Sequence, residues 1–237
     1  PAELAKGARV IDYSGDFRFN STADYAEYAR RIGRDPVHKA PELLPKTVYG
    51  LPELNRKAYG KNQRLVGNPG CFAMSCLIGL APAVASKLVD FKSLICDCKT
   101  GVSGAGKKAT PIHHYPARYE NMQAYRLSGH QHVMEVERML GGLAGEPVPV
   151  TFTAQVVPVC RGILSCLYGT LRDGINLCEV WDAYAEFHNG NPFVRLYDSK
   201  ATVGTAHVRG TNFCNLTVDV DERTRRLRVV SHIDNLM

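Results

Sequence analysis

Between residues 64 and 86 a strand, a tight turn and an apolar helix follow one another directly. Arg64-Leu65-Val66 reads as a short strand, Gly67-Asn68-Pro69-Gly70 turns the chain, and Cys71 opens a mostly apolar stretch over 72–86. A helix that is apolar on every side has no face to offer water, so it must lie inside the protein with other layers around it. The same junction carries chemistry. A residue in the first turn of a helix sits beside N–H groups without intrahelical partners and beside the positive end of the helix dipole. Both favour thiolate, so the Cys71 thiol is expected below its ordinary pKa. Cys71 is the candidate nucleophile; the plain alternative is an inert thiol beside a turn.

The 237 residues suffice for one large domain or two small ones, with a core that needs no disulfide staples. A hydrophobic content of 45% with 22% charged residues excludes wholesale disorder. No apolar run is long enough to span a membrane, and the N-terminal PAELAKGARV contains no apolar signal region. A cytoplasmic location is expected, or an organellar one in a eukaryote. The net charge of +6 suits an enzyme whose ligands carry phosphate. No face interleaves basic and aromatic residues, so no nucleic-acid partner is expected. The basic run from Asp221 to Arg228 reads as a solvated hairpin. The eight cysteines read as reduced, mostly buried thiols. Cys96-x-Cys98 alternates within a strand pattern, which is poor zinc geometry, and no metal is expected.

Helical and alternating patterns both occur, giving an α/β to α+β class. Residues 8–14 read as a buried strand and 22–32 as a helix, with Ser21 and Asp24 in capping-box spacing. Residues 36–62 hold Pro36, Pro41, Pro45 and Pro52 and read mostly as loop. Further strands are expected over 93–100, 148–156 and 162–171, and an amphipathic helix over 176–188. Strands over 214–220 and 227–233 close a hairpin near Arg223. The second half reads as antiparallel.

Two other motifs carry chemistry. Gly129-His130-Gln131-His132 places two imidazoles just before a helical pattern at 133–140. A nucleophilic thiol needs a partner that moves protons near neutral pH, which histidine does; half of a metal site is the weaker reading. His113-His114 reads as loop surface. Gly101-Val102-Ser103-Gly104-Ala105-Gly106-Lys107-Lys108 follows a strand and approaches a phosphate-binding P-loop. Lys108 occupies the place of the Mg²⁺-binding Ser or Thr, so a loop whose amides and lysines hold a phosphate fits better than an NTPase.

Together these segments resemble one family. Gly-Asn-Pro-Gly-Cys-Phe, Lys-Thr-Gly-Val-Ser-Gly-Ala-Gly-Lys-Lys, Ser-Gly-His-Gln-His, Val-Pro-Val-Cys-Arg-Gly-Ile-Leu and His207-Val-Arg-Gly-Thr-Asn-Phe-Cys214 are similar to the N-acetyl-gamma-glutamyl-phosphate reductases. So are Val-Ile-Asp-Tyr-Ser-Gly-Asp-Phe-Arg, His-Lys-Ala-Pro-Glu-Leu-Leu and Val-Tyr-Gly-Leu-Pro-Glu-Leu nearer the start. The resemblance runs from about residue 8 to 237 in the family's order. A related reductase of lysine synthesis, acting on a carrier-bound aminoadipyl phosphate, shares much of the pattern.

The resemblance implies reduction of an acyl-phosphate substrate through a thioester on Cys71, with NADP(H) as cofactor. His130 would be the acid/base, with His132 close behind it. Arg18, Tyr125 and Arg161 would line the substrate pocket, and Ser103, Gly104 and Asn235 the cofactor side. The implied fold is a partial Rossmann segment over 1–70 and a glyceraldehyde-3-phosphate-dehydrogenase-like catalytic domain over 71–232. That domain would have a mixed, largely antiparallel sheet; residues 233–237 would return towards the cofactor domain. A homo-oligomer, dimer or tetramer, is the expected assembly. No glycine-rich dinucleotide turn occurs before residue 60, and the family's terminal helix is not seen. The chain therefore reads as cut at both ends, with little activity or NADPH affinity by itself. The alternatives are the lysine-pathway reductase, a non-catalytic assembly fragment and a phosphate-binding NTPase.

Overall fold

The computed structural model describes residues 1–237. Two sheets organise them. The smaller is parallel, with β1 (Val10–Asp12), β3 (Leu65–Gly67) and β2 (Val48–Tyr49) in the order β1-β3-β2. Val10 pairs with Leu65, and Val48 with Val66.

The larger sheet has seven strands: β4 (Ile95–Thr100), β5 (Gln123–Tyr125), β6 (Thr151–Val156), β7 (Ile163–Thr170), β8 (Val194–Tyr197), β9 (Cys214–Asp221) and β10 (Arg226–Ile233). Their order is β5-β6-β4-β7-β10-β9-β8. Pairings β5–β6, β4–β7, β7–β10 and β9–β10 are antiparallel, while β4–β6 and β8–β9 are parallel. The sheet is thus mixed and largely antiparallel. The two parallel pairs are the exceptions in a second half that otherwise pairs antiparallel, as expected. A parallel neighbour needs a long crossover, and the chain between β4 and β6 makes it through helix α6 (His132–Ala144).

Helix α4 (Cys71–Ala85) is the centre of the molecule. It packs on β7 and β10 on one side and on α6 and α7 (Leu177–Phe187) on the other. Its apolar residues leave it no wet face, as the sequence demands. Ser75 Oγ donates to Ser165 Oγ or Ser231 Oγ, each 2.9 Å away, so the one hydroxyl in the layer finds partners on both strands beneath it. Asn176 caps α7 in a reciprocal capping box with Glu179, and the Tyr184 hydroxyl donates to the Gly79 carbonyl of α4 (2.6 Å). Helix α2 (Thr22–Arg31) starts as expected, with Ser21 Oγ accepting from the Asp24 N–H. The one-turn helices α1 (Ala2–Ala5), α3 (Pro52–Asn55) and α5 (Tyr115–Arg118) complete the set. No helix is long and apolar enough to cross a membrane.

Several expectations need correction. The strand expected buried over 8–14 shortens to β1, whose Ile11 is 59% exposed. β1 lies at the edge of the small sheet, and no element of the chain covers Ile11. The region 36–62 is not only loop: β2 lies within it and pairs with β3. β2, β5 and β8 were not expected because strands of two to four residues carry too little alternation to register. Cys76, Cys96, Cys98 and Cys214 are buried free thiols, but Cys160 and Cys178 are exposed.

The main core joins both halves of the chain, from Tyr49 and Leu51 to Ile233. Leu167, fully buried on β7, fills the space beside Gly79 of α4. Leu167→Ala should cost about 2–5 kcal/mol in urea unfolding, the range for a large-to-small change in a packed core. A loss under about 1 kcal/mol would show that α4 does not bear on this strand as described.

Candidate active site

Cys71 stands where β3 turns into α4, and the turn is held from several sides. The Asn68 N–H donates to the Asp12 carbonyl (2.8 Å), and Arg18 Nε donates to the Asn68 carbonyl (2.8 Å). The Gly70 N–H donates to Glu135 Oε2 (2.9 Å). Position 70 has to be glycine for a steric reason, since a Cβ there would lie 2.2 Å from His132 Nε2 and 2.8 Å from Glu135 Oε1. The thiol itself departs from expectation. Burial pushes Cys71 up to about 11, and the lowering by the Phe72 N–H, by Arg18 and by its own N–H does not offset it; the Glu135 charge adds to the rise. The helix-terminus argument was sound in sign, but desolvation outweighs it.

His130 and His132 occupy an aromatic box. Their rings are 4.9 Å apart between centroids. Phe72 meets them edge-on at 5.7 and 6.1 Å, and Phe152 and Tyr125 close on His130 at 5.0 and 5.6 Å. Burial lowers both imidazoles to about 3; the His132 and Arg126 charges add to the shift at His130, and those of Arg18 and Arg126 at His132. Both rings are therefore neutral at pH 7. His130 Nδ1 accepts from the His132 N–H (3.2 Å), so the proton of the neutral His130 ring resides on Nε2. His132 Nδ1 is buried with no partner in the chain.

These histidines tie stability to pH. In the unfolded chain they titrate near 6.5, whereas in the folded chain they stay neutral down to about 3. As pH falls through that window protons bind the unfolded state first, so stability is full above about pH 6.5 and lost below it. Each should cost about 1.4 kcal/mol per pH unit, and urea unfolding at about pH 7 and about pH 5 reads the difference. His130→Gln with His132→Gln should reduce the slope, leaving the part due to His188 and His232, which burial also lowers. A wild-type stability equal at both pH values would contradict burial in the neutral form.

Glu135 is the residue that sequence reading missed. It is fully buried, and its carboxylate accepts from Arg18 Nη1 (3.1 Å), the Tyr49 hydroxyl (2.9 Å) and the Gly70 N–H. His132 Nε2 lies 3.9 Å away. Arg138, on the same helix, donates to the Arg18 carbonyl (2.9 Å). A signal was available: His132, Glu135, Val136 and Leu140 share the buried stripe of α6, and a carboxylate on such a stripe calls for partners. Glu135→Ala leaves the Arg18 guanidinium, with only 10% of its side chain exposed, without its carboxylate. We expect a loss of about 3–5 kcal/mol by urea unfolding. A variant as stable as the wild type would remove Glu135 from this role.

Cys71 forms part of the wall of two cavities. One, of about 470 Å³, is lined by Tyr125, His130, His132 and Gly104 among others. The second, of about 550 Å³, is lined by Arg18, Asn68, Gly104 and Asn235. Ser103 and Arg161 line neither. The Ser103 hydroxyl lies 2.7 Å from the Cys160 carbonyl and 3.1 Å from Asn235 Oδ1, and the Gly162 N–H also donates to Asn235 Oδ1 (3.0 Å). Arg161 donates from Nη2 and Nε to the buried Asp234 Oδ2 (2.8 and 3.2 Å), which also accepts the Gly210 N–H (2.6 Å). His113, expected at the loop surface, instead lines the first cavity. The near P-loop folds as a 3-10 turn over Val102–Ala105, with no α-helix after Lys107 to complete a nucleotide cradle. No group of three or more His, Cys, Asp or Glu side chains converges as metal ligands.

The architecture is that of the semialdehyde dehydrogenases. Residues 71–235 match the family described as semialdehyde dehydrogenase, dimerisation domain. A probable aspartate-semialdehyde dehydrogenase from Pseudomonas aeruginosa superposes with a TM-score of 0.65 at 17% identity, covering 99% of this chain and 70% of that one. Aspartate semialdehyde dehydrogenase II from Vibrio cholerae gives 0.62 at 18% identity, covering 90% and 71%. At the level of sequence, N-acetyl-gamma-glutamyl-phosphate reductase from Geobacter sulfurreducens is 45% identical over all of this chain and 67% of its own length. The protein of that name from Bacillus cereus is 39% identical with the same coverage. The chain belongs to the N-acetyl-gamma-glutamyl-phosphate reductase family, and it spans about two thirds of the length of these relatives.

Proposed function

We propose that the chain carries the catalytic site for NADPH-dependent reduction of N-acetyl-gamma-glutamyl phosphate to the semialdehyde and phosphate, a step of arginine biosynthesis, in the cytoplasm. The observation that carries this reading is the position of Cys71 on a wall shared by two cavities, which in this reading take the acyl group and the nicotinamide. The names of the relatives favour the N-acetylglutamyl substrate over the aminoadipyl one.

The second cavity fits a nicotinamide. A Cβ at Gly104 would lie 3.2 Å from Asn235 Nδ2 and 3.4 Å from Thr100 Oγ1, so glycine keeps that wall open, and Gly104 and Asn235 would hold the ring there while Ser103 steadies Asn235. When bound, the reduced cofactor supplies hydride to the acyl group on Cys71. The other steps belong to the chain's own residues. Cys71 Sγ loses its proton to the neutral ring of His132 and attacks the acyl carbon; the C–O bond to phosphate breaks, and a thioester forms. His130, with its ring proton on Nε2, donates towards the oxygen on which charge develops. Tyr125 closes the acyl side and packs against His130. After reduction the C–S bond breaks, the aldehyde leaves, and Cys71 recovers a proton. Arg18 sets a positive charge beside the sulfur and the departing phosphate, and Arg161 braces the 160–162 loop through Asp234.

In the same reading residues 1–70 belong to a cofactor-binding domain, 71–232 form the catalytic and assembly domain, and 233–237 lead back towards the first. The parallel order of β1, β3 and β2 supports the first assignment. A homo-oligomer, dimer or tetramer, would use the uncovered face of the large sheet, where Leu164, Cys166 and Tyr168 are only partly buried.

Acylation needs no cofactor, so it isolates the central step. Mixing the chain with N-acetyl-gamma-glutamyl phosphate should release about one phosphate per chain and leave an acyl group on Cys71, read by peptide mass mapping. His130→Ala should slow acylation by about 10²–10⁴-fold, and His132→Ala by less. An undiminished phosphate burst in Cys71→Ser, or acylation of another cysteine, would refute the assignment.

A further inference from the structure

The cavity that holds the imidazoles has a charge pattern of its own. Its lining contains no aspartate or glutamate, and Arg126 is the only residue there with a fixed charge. Arg126 makes no ion pair anywhere in the chain; its Nη1 donates to Gln131 Oε1 (2.6 Å). Its backbone holds φ at +48°, a left-handed conformation uncommon for a long side chain. The guanidinium is felt at both His130 and His132. The charge felt at the sulfur of Cys71 includes that of Arg18. Each of the two cavities that meet at Cys71 thus has an arginine in its lining, Arg126 in the first and Arg18 in the second. His113 lines the same cavity, and its Nδ1 is buried with no partner.

We infer that Arg126, steadied by Gln131, receives the free carboxylate of the substrate, so that the site selects acyl phosphates bearing a second anionic group at the far end. This rests on the acyl-phosphate reading above. A guanidinium presents paired donors that match the two oxygens of a carboxylate, and Gln131 holds one edge of this exposed side chain. His113 supplies one further polar position for the amide beside that carboxylate. Gln131 acts through Arg126 as a positioning residue. The leaving phosphate stays with Arg18, next to the sulfur.

The test compares substrates that differ only at the carboxylate. N-acetyl-gamma-glutamyl phosphate and its α-methyl ester are compared for acylation of Cys71 in wild type, Arg126→Ala and Arg126→Lys. Arg126→Ala should lower the apparent second-order acylation constant for the free acid by about 10–100-fold, the worth of a charged hydrogen-bonded contact. It should leave the ester within about twofold. Arg126→Lys should recover part of the loss. A parallel titration by NMR uses unreactive N-acetyl-L-glutamine and its methyl ester. Wild type should prefer the acid by about tenfold or more, and Arg126→Ala should bind both alike. Equal losses on acid and ester, or a preference for the acid that survives in Arg126→Ala, would overturn the inference, as would absence of any preference in wild type. If acylation of Cys71 fails with both phosphates in wild type, the reductase reading falls, while the titration still decides the role of Arg126.

Discussion

A single buried carboxylate joins the parts of this site. Glu135 leaves α6 and accepts at once from Arg18, Tyr49 and the N–H of Gly70. Arg18 and Tyr49 come from the segment containing the small sheet; Gly70 precedes Cys71. A charge so deeply buried persists only with this many donors, because leaving any of them unsatisfied costs more than the contact itself contributes. The requirement acts in both directions. The donors hold the carboxylate, and the carboxylate fixes the turn before Cys71 against the imidazole of His132. The close approach at Gly70, where no side chain fits, is the geometric trace of that constraint.

The same burial sets the chemistry. A thiol pushed up to about 11 and imidazoles near 3 make a resting site without an ion pair between sulfur and ring. Such a thiol is protected from adventitious electrophiles, since the thiolate is the reactive form. Activation then belongs to the bound state, in which the substrate brings charge into a pocket of low dielectric and the hydrogen-bond donors around it gain strength. In the proposed function Arg126 and Arg18 meet that charge.

Legibility from sequence followed length and pattern. Helix α4 was evident because its apolar run admits no other environment, and α7 because Leu177, Val180, Trp181 and Tyr184 repeat at helical spacing. The alternating strands β6, β7, β9 and β10 were equally plain. β2, β5 and β8 were not, because so few residues hold no period and their pairing is decided by neighbours far along the chain. Cys71, His130 and His132 could be named from motif and position. Arg161 could be named too, but its partner Asp234 could not, and the same holds for the bond between Ser103 and Asn235. The direction of the Cys71 shift was misjudged because a helix terminus is visible in sequence whereas the depth of the surrounding packing is not. Glu135 sits on an apolar stripe that was visible, yet its donors lie on segments that only the fold brings together.

The most direct test of this account is the pH dependence of Cys71 alkylation by iodoacetamide, followed residue by residue. A neutral resting thiol predicts a rate that climbs about tenfold per pH unit through about pH 9, with no plateau near neutrality. A rate that levels off below about pH 7 would mean that a thiolate–imidazolium pair already exists in the resting site, and it would contradict the neutral thiol and imidazoles described above.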